Sequence, residues 1–269
     1  MRGCLRHFFK FLCLILSFLA TLPCALISSP FEIQIDGFSY RTDHFWNKHG
    51  TLRPAHSYLD FTGAAIWIVA RPLTRLQLSL TTAWQNGKEC LNGTSRGLSD
   101  IELTGSSLMT QFKGGDLFLQ GTLIVPSGRS KEMIRYGEWG GEAGLFYQRP
   151  FALHCSSPTH YFFGSLGFRG YGGAASNLVR ATLGALLNPI PYLHIRAAFQ
   201  LDYGLFDGHR ANHPNAFLYN PNFRLLNFEG IVSYPIWKGF CINGGGFCHI
   251  WGENIGNNGG FFGGVSYVF

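Results

Sequence analysis

The chain has 269 residues, of which 46% are apolar, 16% aromatic and only 13% charged, with 35 glycines, 12 prolines and a formal net charge of +6. So many large apolar residues exclude a disordered chain, and the charged share, about half of the roughly 25% usual in globular domains, leaves too few ions to coat a water-facing surface and disfavours a soluble enzyme. Beyond the N-terminal segment there is no run of the roughly 20 apolar residues that a spanning helix needs, so the composition points to a protein that meets lipid with strands.

At the N-terminus, Arg2, Arg6 and Lys10 precede the apolar run Phe11 to Leu22, and Pro23 and the small residues Ala25, Ser28 and Ser29 follow. This order reads as a secretory signal over residues 1–29, cleaved between 25 and 29, with residues 30–269 as a single domain. A retained membrane anchor is the alternative. Cys24 does not make a lipoprotein signal, because Thr21, Leu22 and Pro23 before it are not the small residues expected there. Loss of three basic residues and no acidic one lowers the net charge from +6 to +3. The remaining Lys and Arg are scattered singly, so no nucleic-acid partner is implied. Four cysteines remain, Cys90, Cys155, Cys241 and Cys248. They lack metal-site spacing, and in an oxidising compartment they can pair within a chain or as intermolecular disulfides.

The domain is read as strands, because apolar and polar residues alternate with a period of two. In Phe31 to Tyr40, Phe31, Ile33 and Ile35 oppose Glu32, Gln34 and Asp36. Tyr58 to Ala70 repeats the pattern weakly. Leu73 to Gln85 repeats it clearly, with Leu76, Leu78 and Leu80 against Gln77, Ser79 and Thr81. Leu98 to Phe112 and Asp116 to Pro126 follow, and then a segment in which Trp139, Ala143, Leu145 and Tyr147 alternate with Glu138, Glu142 and Gln148. His160 to Tyr171, Asn177 to Asn188, Leu193 to Tyr203, Phe223 to Tyr234, Phe240 to Trp251 and Gly260 to Phe269 complete about twelve strands.

The joints alternate in length. Short turns are expected at Arg71-Pro72, Lys113 to Gly115, Asn188 to Pro191 and Pro235 to Gly239, each rich in Pro or Gly. Longer polar loops are expected at Arg41 to Ser57, Asn86 to Gly97, Ser127 to Arg135, Gly172 to Ser176, Phe206 to Asn222 and Gly252 to Gly259. Arg149 to Thr159 is a long joint where the scheme wants a short one. This alternation is that of a transmembrane antiparallel up-and-down β-barrel. An open sheet in hydrocarbon would leave edge donors and acceptors unpaired, so the sheet must close, and an even strand number returns both termini to the periplasmic side. Trp84, Tyr203 and Trp251 near the loop ends, and Tyr147, Trp237 and Phe269 near the turn ends, suit two interfacial girdles.

Parity sends Glu32, Gln34, Asp36, Arg75, Gln77, Glu138, Glu142, Arg169, Arg180, Arg196, Gln200, Asp202, Asn227 and Glu229 inward. Two readings follow: a water-filled passage whose charged walls orient a small solute, or a plugged interior in which the same charges pair.

The C-terminal stretch Gly264-Val265-Ser266-Tyr267-Val268-Phe269 resembles the assembly signal of Gram-negative outer-membrane barrels, apart from Phe262, where that pattern tends to carry a polar residue. The resemblance implies outer-membrane lipid and the barrel-assembly machinery as partners, with Gly264, Tyr267 and Phe269 acting in insertion. Ser99-Asp100-Ile101-Glu102-Leu103, Gly115-Asp116-Leu117-Phe118-Leu119 and Val125-Pro126-Ser127-Gly128 are similar to strands and a loop of the MetA-pathway phenol-degradation-like barrels, with Ser127 in place of the usual Thr. That group is transporter-like, and no substrate is carried over.

Other candidate chemistry is weak. His154-Cys155-Ser156 has the His/Ser spacing of outer-membrane phospholipases, but it continues into Ser157-Pro158 rather than Asn-Gly, and no base or orienting group is evident. His44, His49, His56, His209 and His213 read as solvated loop residues, and Gly244 to Gly246 as a mid-strand bend rather than a phosphate cradle. No catalytic site, cofactor or metal is expected. The expected activity is passive or facilitated diffusion of a small solute, and the rival is a closed structural or adhesive barrel that binds through its loops.

Overall fold

The computed structural model describes residues 31–73, 75–89, 93–127, 137–152, 159–173, 175–190, 192–206, 208 and 219–269. The described residues form one antiparallel sheet. Its elements are β1 (Phe31–Trp46), β2 (Leu52–Leu73), β3 (Leu76–Glu89), β4 (Gly93–Leu98), β5 (Ile101–Phe112), β6 (Gly115–Val125), β7 (Gly140–Phe151), β8 (His160–Tyr171), β9 (Leu178–Ile190), β10 (Leu193–Gly204), β11 (Tyr219–Trp237) and β12 (Phe240–Val268).

Apart from β4 and β5, which both pair with β3, each element pairs with its sequence neighbours, and the β2–β3 pairing together with β12–β1 closes the ring, so the sheet is a barrel. Two elements need separate counting. β4 continues β5 along the same partner, β3, after a bulge at Ser99-Asp100. β12 pairs with β11 through residues 240–255 and with β1 through 255–268, turning back at Asn254, whose φ is 54°. The chain thus crosses the barrel wall twelve times, and each expected strand falls on one crossing. The even number brings the two ends together: the Phe269 N–H donates to the Phe31 carbonyl at 2.8 Å.

Two expected joints differ. The turn expected at Arg71-Pro72 lies three residues later, because β2 runs on to Leu73, which pairs with Leu76 across Arg75. Pro72 cannot donate to the ladder, so the register shifts between Ala70 and Leu73 instead of ending there. The polar stretches Arg41 to Ser57, Asn86 to Gly97 and Gly252 to Gly259 are largely strand rather than loop. A strand beyond the lipid keeps its backbone pairing but no longer needs an oily face, so it loses the alternation that betrays it in sequence.

At the opposite end, β5 and β6 join through Lys113 and Gly114, with φ of 48° and 75°, a two-residue hairpin turn that positive φ suits. A Cβ on Gly114 would meet nothing within 4 Å. Gly114→Ala should therefore cost only backbone strain, about 1 kcal/mol, read as a lowered urea midpoint of the refolded barrel. An unchanged midpoint would show that this turn is not held in its left-handed form.

The outer face carries Leu103, Leu119, Leu123, Leu145, Leu166, Leu183, Phe199 and Phe261, all exposed. Near the joined termini it also carries an aromatic patch over the seam: Tyr267 packs on Phe269 at 4.6 Å and on Phe240 at 4.4 Å, and Phe31 packs on Phe269 at 5.6 Å. An apolar band with interfacial aromatics is what lipid contact requires.

Candidate functional site: the barrel lumen

Long-range ion pairs identify the inner face. Arg169 on β8 reaches Glu102 on β5, although β6 and β7 stand between them in the sheet. Such a contact can form only across the concave side of a curved sheet. Arg169 donates from Nη1 and Nη2 to the two oxygens of Glu102 at 2.8 and 3.2 Å, and from Nε to Glu142 on β7 at 2.6 Å. Glu142 also accepts from Arg180 Nη1 at 3.0 Å, and Arg180 Nε donates to Asp202 on β10 at 2.9 Å. Gln200 then donates to both oxygens of Asp202 at 3.1 Å.

The result is a belt of alternating charge, Glu102, Arg169, Glu142, Arg180 and Asp202, contributed by five elements. The fork of Arg169 is filled by two carboxylates, which fixes its orientation as a lone ammonium could not. Six residues along β10 from Asp202, Arg196 pairs with Glu229, and its guanidinium lies 5.1 Å over the ring of Phe163.

Aromatic rings take the rest of the inner face. Phe146 lies between Phe118 at 5.9 Å and Phe163 at 6.3 Å. On the far side of the ring of strands, Tyr40 stacks on Phe61 at 4.7 Å and meets the edge of Phe247 at 5.7 Å. Several of these rings cover a glycine of the adjacent strand. A Cβ on Gly63 would lie 2.5 Å from Phe38, one on Gly87 2.7 Å from Phe61, one on Gly184 2.5 Å from Phe163, and one on Gly245 2.6 Å from Phe262. A ring laid over a glycine adds roughly one van der Waals thickness, about 3.5 Å, to the wall. The interior therefore carries much aromatic surface with little loss of bore.

Part of the inward-facing charge is not sealed within the wall. Glu102, Arg196 and Glu229 face inward, yet their side chains keep 36%, 38% and 34% of their exposure. Arg169, by contrast, is 9% exposed beneath its two partners.

The other residues expected to face inward are placed as follows. Glu32 lies 3.9 Å from Arg71, which also donates to Gln77 at 3.3 Å. Asp36 is 2% exposed and accepts from Gln34 at 2.6 Å. Arg75 is exposed in the β2–β3 turn, because the turn lies later than the sequence suggests, and so it is not part of a strand wall. Glu138 precedes β7 and accepts from the Ala175 N–H at 3.1 Å, holding the rim at the end away from the termini.

Glu102 and Arg71 were missed as inward-facing residues. Glu102 alternates with Ile101 and Leu103, so parity could have found it. Arg71 was hidden by the misplaced turn. The inner aromatics carry no such signal, because an apolar residue at an inward position reads as a break in the pattern.

Two of the three segments similar to the MetA-pathway group meet in space: Ser127 Oγ donates to the Leu98 carbonyl at 2.7 Å and its N–H to Asp100 at 3.4 Å, clamping the bulge between β4 and β5, whereas Gly115 to Leu119 pairs with the far end of β5. Gly264 faces inward against Asp36, and a Cβ there would overlap the Ile35 carbonyl. Cys241 and Cys248 are free thiols whose seven-residue spacing puts them on opposite faces of β12, so they cannot pair with each other. Cys90, Cys155, His154, Ser156, His209 and His213 lie outside the described residues, as does the segment 1–30.

Neither protein-family models nor curated proteins match this sequence. Among solved structures, the chain is similar to an outer membrane channel from Pseudomonas putida F1, with 12% identity, 90% of this chain and 95% of that chain covered, and a TM-score of 0.68. It is also similar to the NanC porin, with 7% identity, 87% and 98% coverage and a TM-score of 0.53. At these identities the likeness is one of fold: the chain shares the closed antiparallel β-barrel architecture of these two proteins.

Proposed function

We propose that this chain, once a signal segment within residues 1–29 is removed, spans a Gram-negative outer membrane with both termini in the periplasm and lets small polar solutes diffuse through its lumen. The observation that carries this reading is the partial exposure of inward-facing Glu102, Arg196 and Glu229, since a closed wall exposes inward charge only beside an internal water space. Rings flattened over glycines support it by leaving that space unfilled. Outer-membrane lipid is the partner of the apolar band, and the barrel-assembly machinery that of the C-terminal segment around Tyr267 and Phe269.

The test is reconstitution of the mature, heat-modifiable barrel in a planar bilayer. Stepwise conductance is the expected result, and silence from a folded barrel would sink the reading. Silence would instead favour a closed adhesive barrel. That second reading draws on the β1–β2 and β3–β4 hairpins, which carry the polar stretches Arg41 to Ser57 and Asn86 to Gly97 beyond the alternating part of the wall.

A further inference from the structure

Resting on that reading, we propose that the lumen selects cations and favours small organic ones, such as substituted ammonium ions. Charge balance comes first. The pairs Arg71–Glu32 and Arg196–Glu229 cancel. The belt does not, because three carboxylates, on Glu102, Glu142 and Asp202, face two guanidiniums, on Arg169 and Arg180. Asp116, on the wall near the joined termini, accepts from Gln111 at 3.2 Å and has no basic partner among the described residues, with Arg75, Lys113 and Lys238 at that end standing in the turns rather than on the wall. Asp36 is set aside because it is sealed from the lumen water. The described inner wall is therefore negative, and a low-dielectric wall of one sign concentrates the opposite ion within it.

Within the belt, donor availability at Arg169 points the same way. Every nitrogen of the Arg169 guanidinium already donates to Glu102 or Glu142, so this arginine has no free fork for a solute carboxylate or phosphate. Glu102, four times as exposed as Arg169, presents its remaining lone pairs to the water.

The aromatic surface supplies the preference for organic cations. Tyr40 and Phe247 lie on the wall opposite the belt, with Phe61 buried beneath Tyr40. A cation over an aromatic face is attracted by the ring quadrupole, and an alkylammonium ion, which sheds water more readily than a metal ion, gains most from it. A solute between the belt and these rings would meet carboxylate oxygens on one side and π-faces on the other.

The test is the reversal potential of the reconstituted barrel in a tenfold potassium chloride gradient, followed by replacement of potassium with tetramethylammonium. The potential should lie on the cation side, and tetramethylammonium should permeate or hold the open channel longer than potassium does. The variants Glu102→Gln and Asp116→Asn should each move the potential toward zero. Asp116 lies outside the belt, so Asp116→Asn reports on selectivity even if Glu102→Gln disturbs folding. A reversal potential on the chloride side, or one that neither variant moves, overturns the inference while leaving the passage intact. Absence of conductance overturns the passage itself, and the inference falls with it.

Discussion

Arg169→Met should lower the stability of the refolded barrel by about 3 kcal/mol, the lower end of the cost of removing one partner from a buried ion pair. The substitution leaves Glu102 and Glu142 facing each other across the space the guanidinium filled, and it takes three charge-assisted hydrogen bonds from one site. Glu102 can recover water because it is partly exposed, which is why the lower end applies. Glu142 is the more buried carboxylate but keeps its bond from Arg180. Unfolding by urea, followed by loss of the fast-migrating folded band, measures the change. Arg169→Lys keeps the charge but not the two-pronged contact with Glu102, and should fall between wild type and Arg169→Met. A double variant, Arg169→Met with Glu102→Gln, should recover part of the loss. If Arg169→Met unfolds at the wild-type urea concentration, the belt is fully hydrated and does not brace the wall.

Gly264→Ala should impair closure of the barrel even in purified components. Its Cβ would overlap the Ile35 carbonyl and lie 2.6 Å from Asp36 Cα, and neither backbone atom can move without opening the β1–β12 pairing that seals the ring. A cost of about 3 kcal/mol, at the upper end for overpacking, is expected, visible as a slow or incomplete yield of folded barrel in detergent or lipid. Phe269→Ser provides the contrast. Phe269 lies on the outer face at the chain end, so Phe269→Ser should refold normally in vitro. In cells it should stay in the periplasm and be degraded, because its expected role is to be read during assembly. Normal refolding of Gly264→Ala would remove the steric explanation of that glycine and leave assembly recognition as its only role.

The twelve crossings were legible because lipid on one side and water on the other impose a two-residue period that no helix shares. Phe31 to Tyr40 and Leu193 to Tyr203 show it openly, and both lie inside strands of the barrel. The limits of legibility have the same cause. Beyond the lipid, at Arg41 to Trp46 and Asn86 to Glu89, strands continue without the period, and their pairing shows only in the backbone register. Parity could say that Glu142, Arg169, Arg180 and Asp202 share a face, but not that Arg169 reaches Glu102 across two intervening strands.

By itself, then, the order of residues determined that the chain forms a membrane barrel of about twelve strands and which way most charged side chains point. These depend on local alternation, and each strand obeys it independently of the others. Only the closed structure decided that the charges join into one belt, that aromatic rings lie over glycines of adjacent strands, and that Arg75 leaves the strand wall while Arg71 takes part in it. Those outcomes depend on register and curvature, which bring together residues far apart in the chain, and no period within a single strand encodes the distance between two walls.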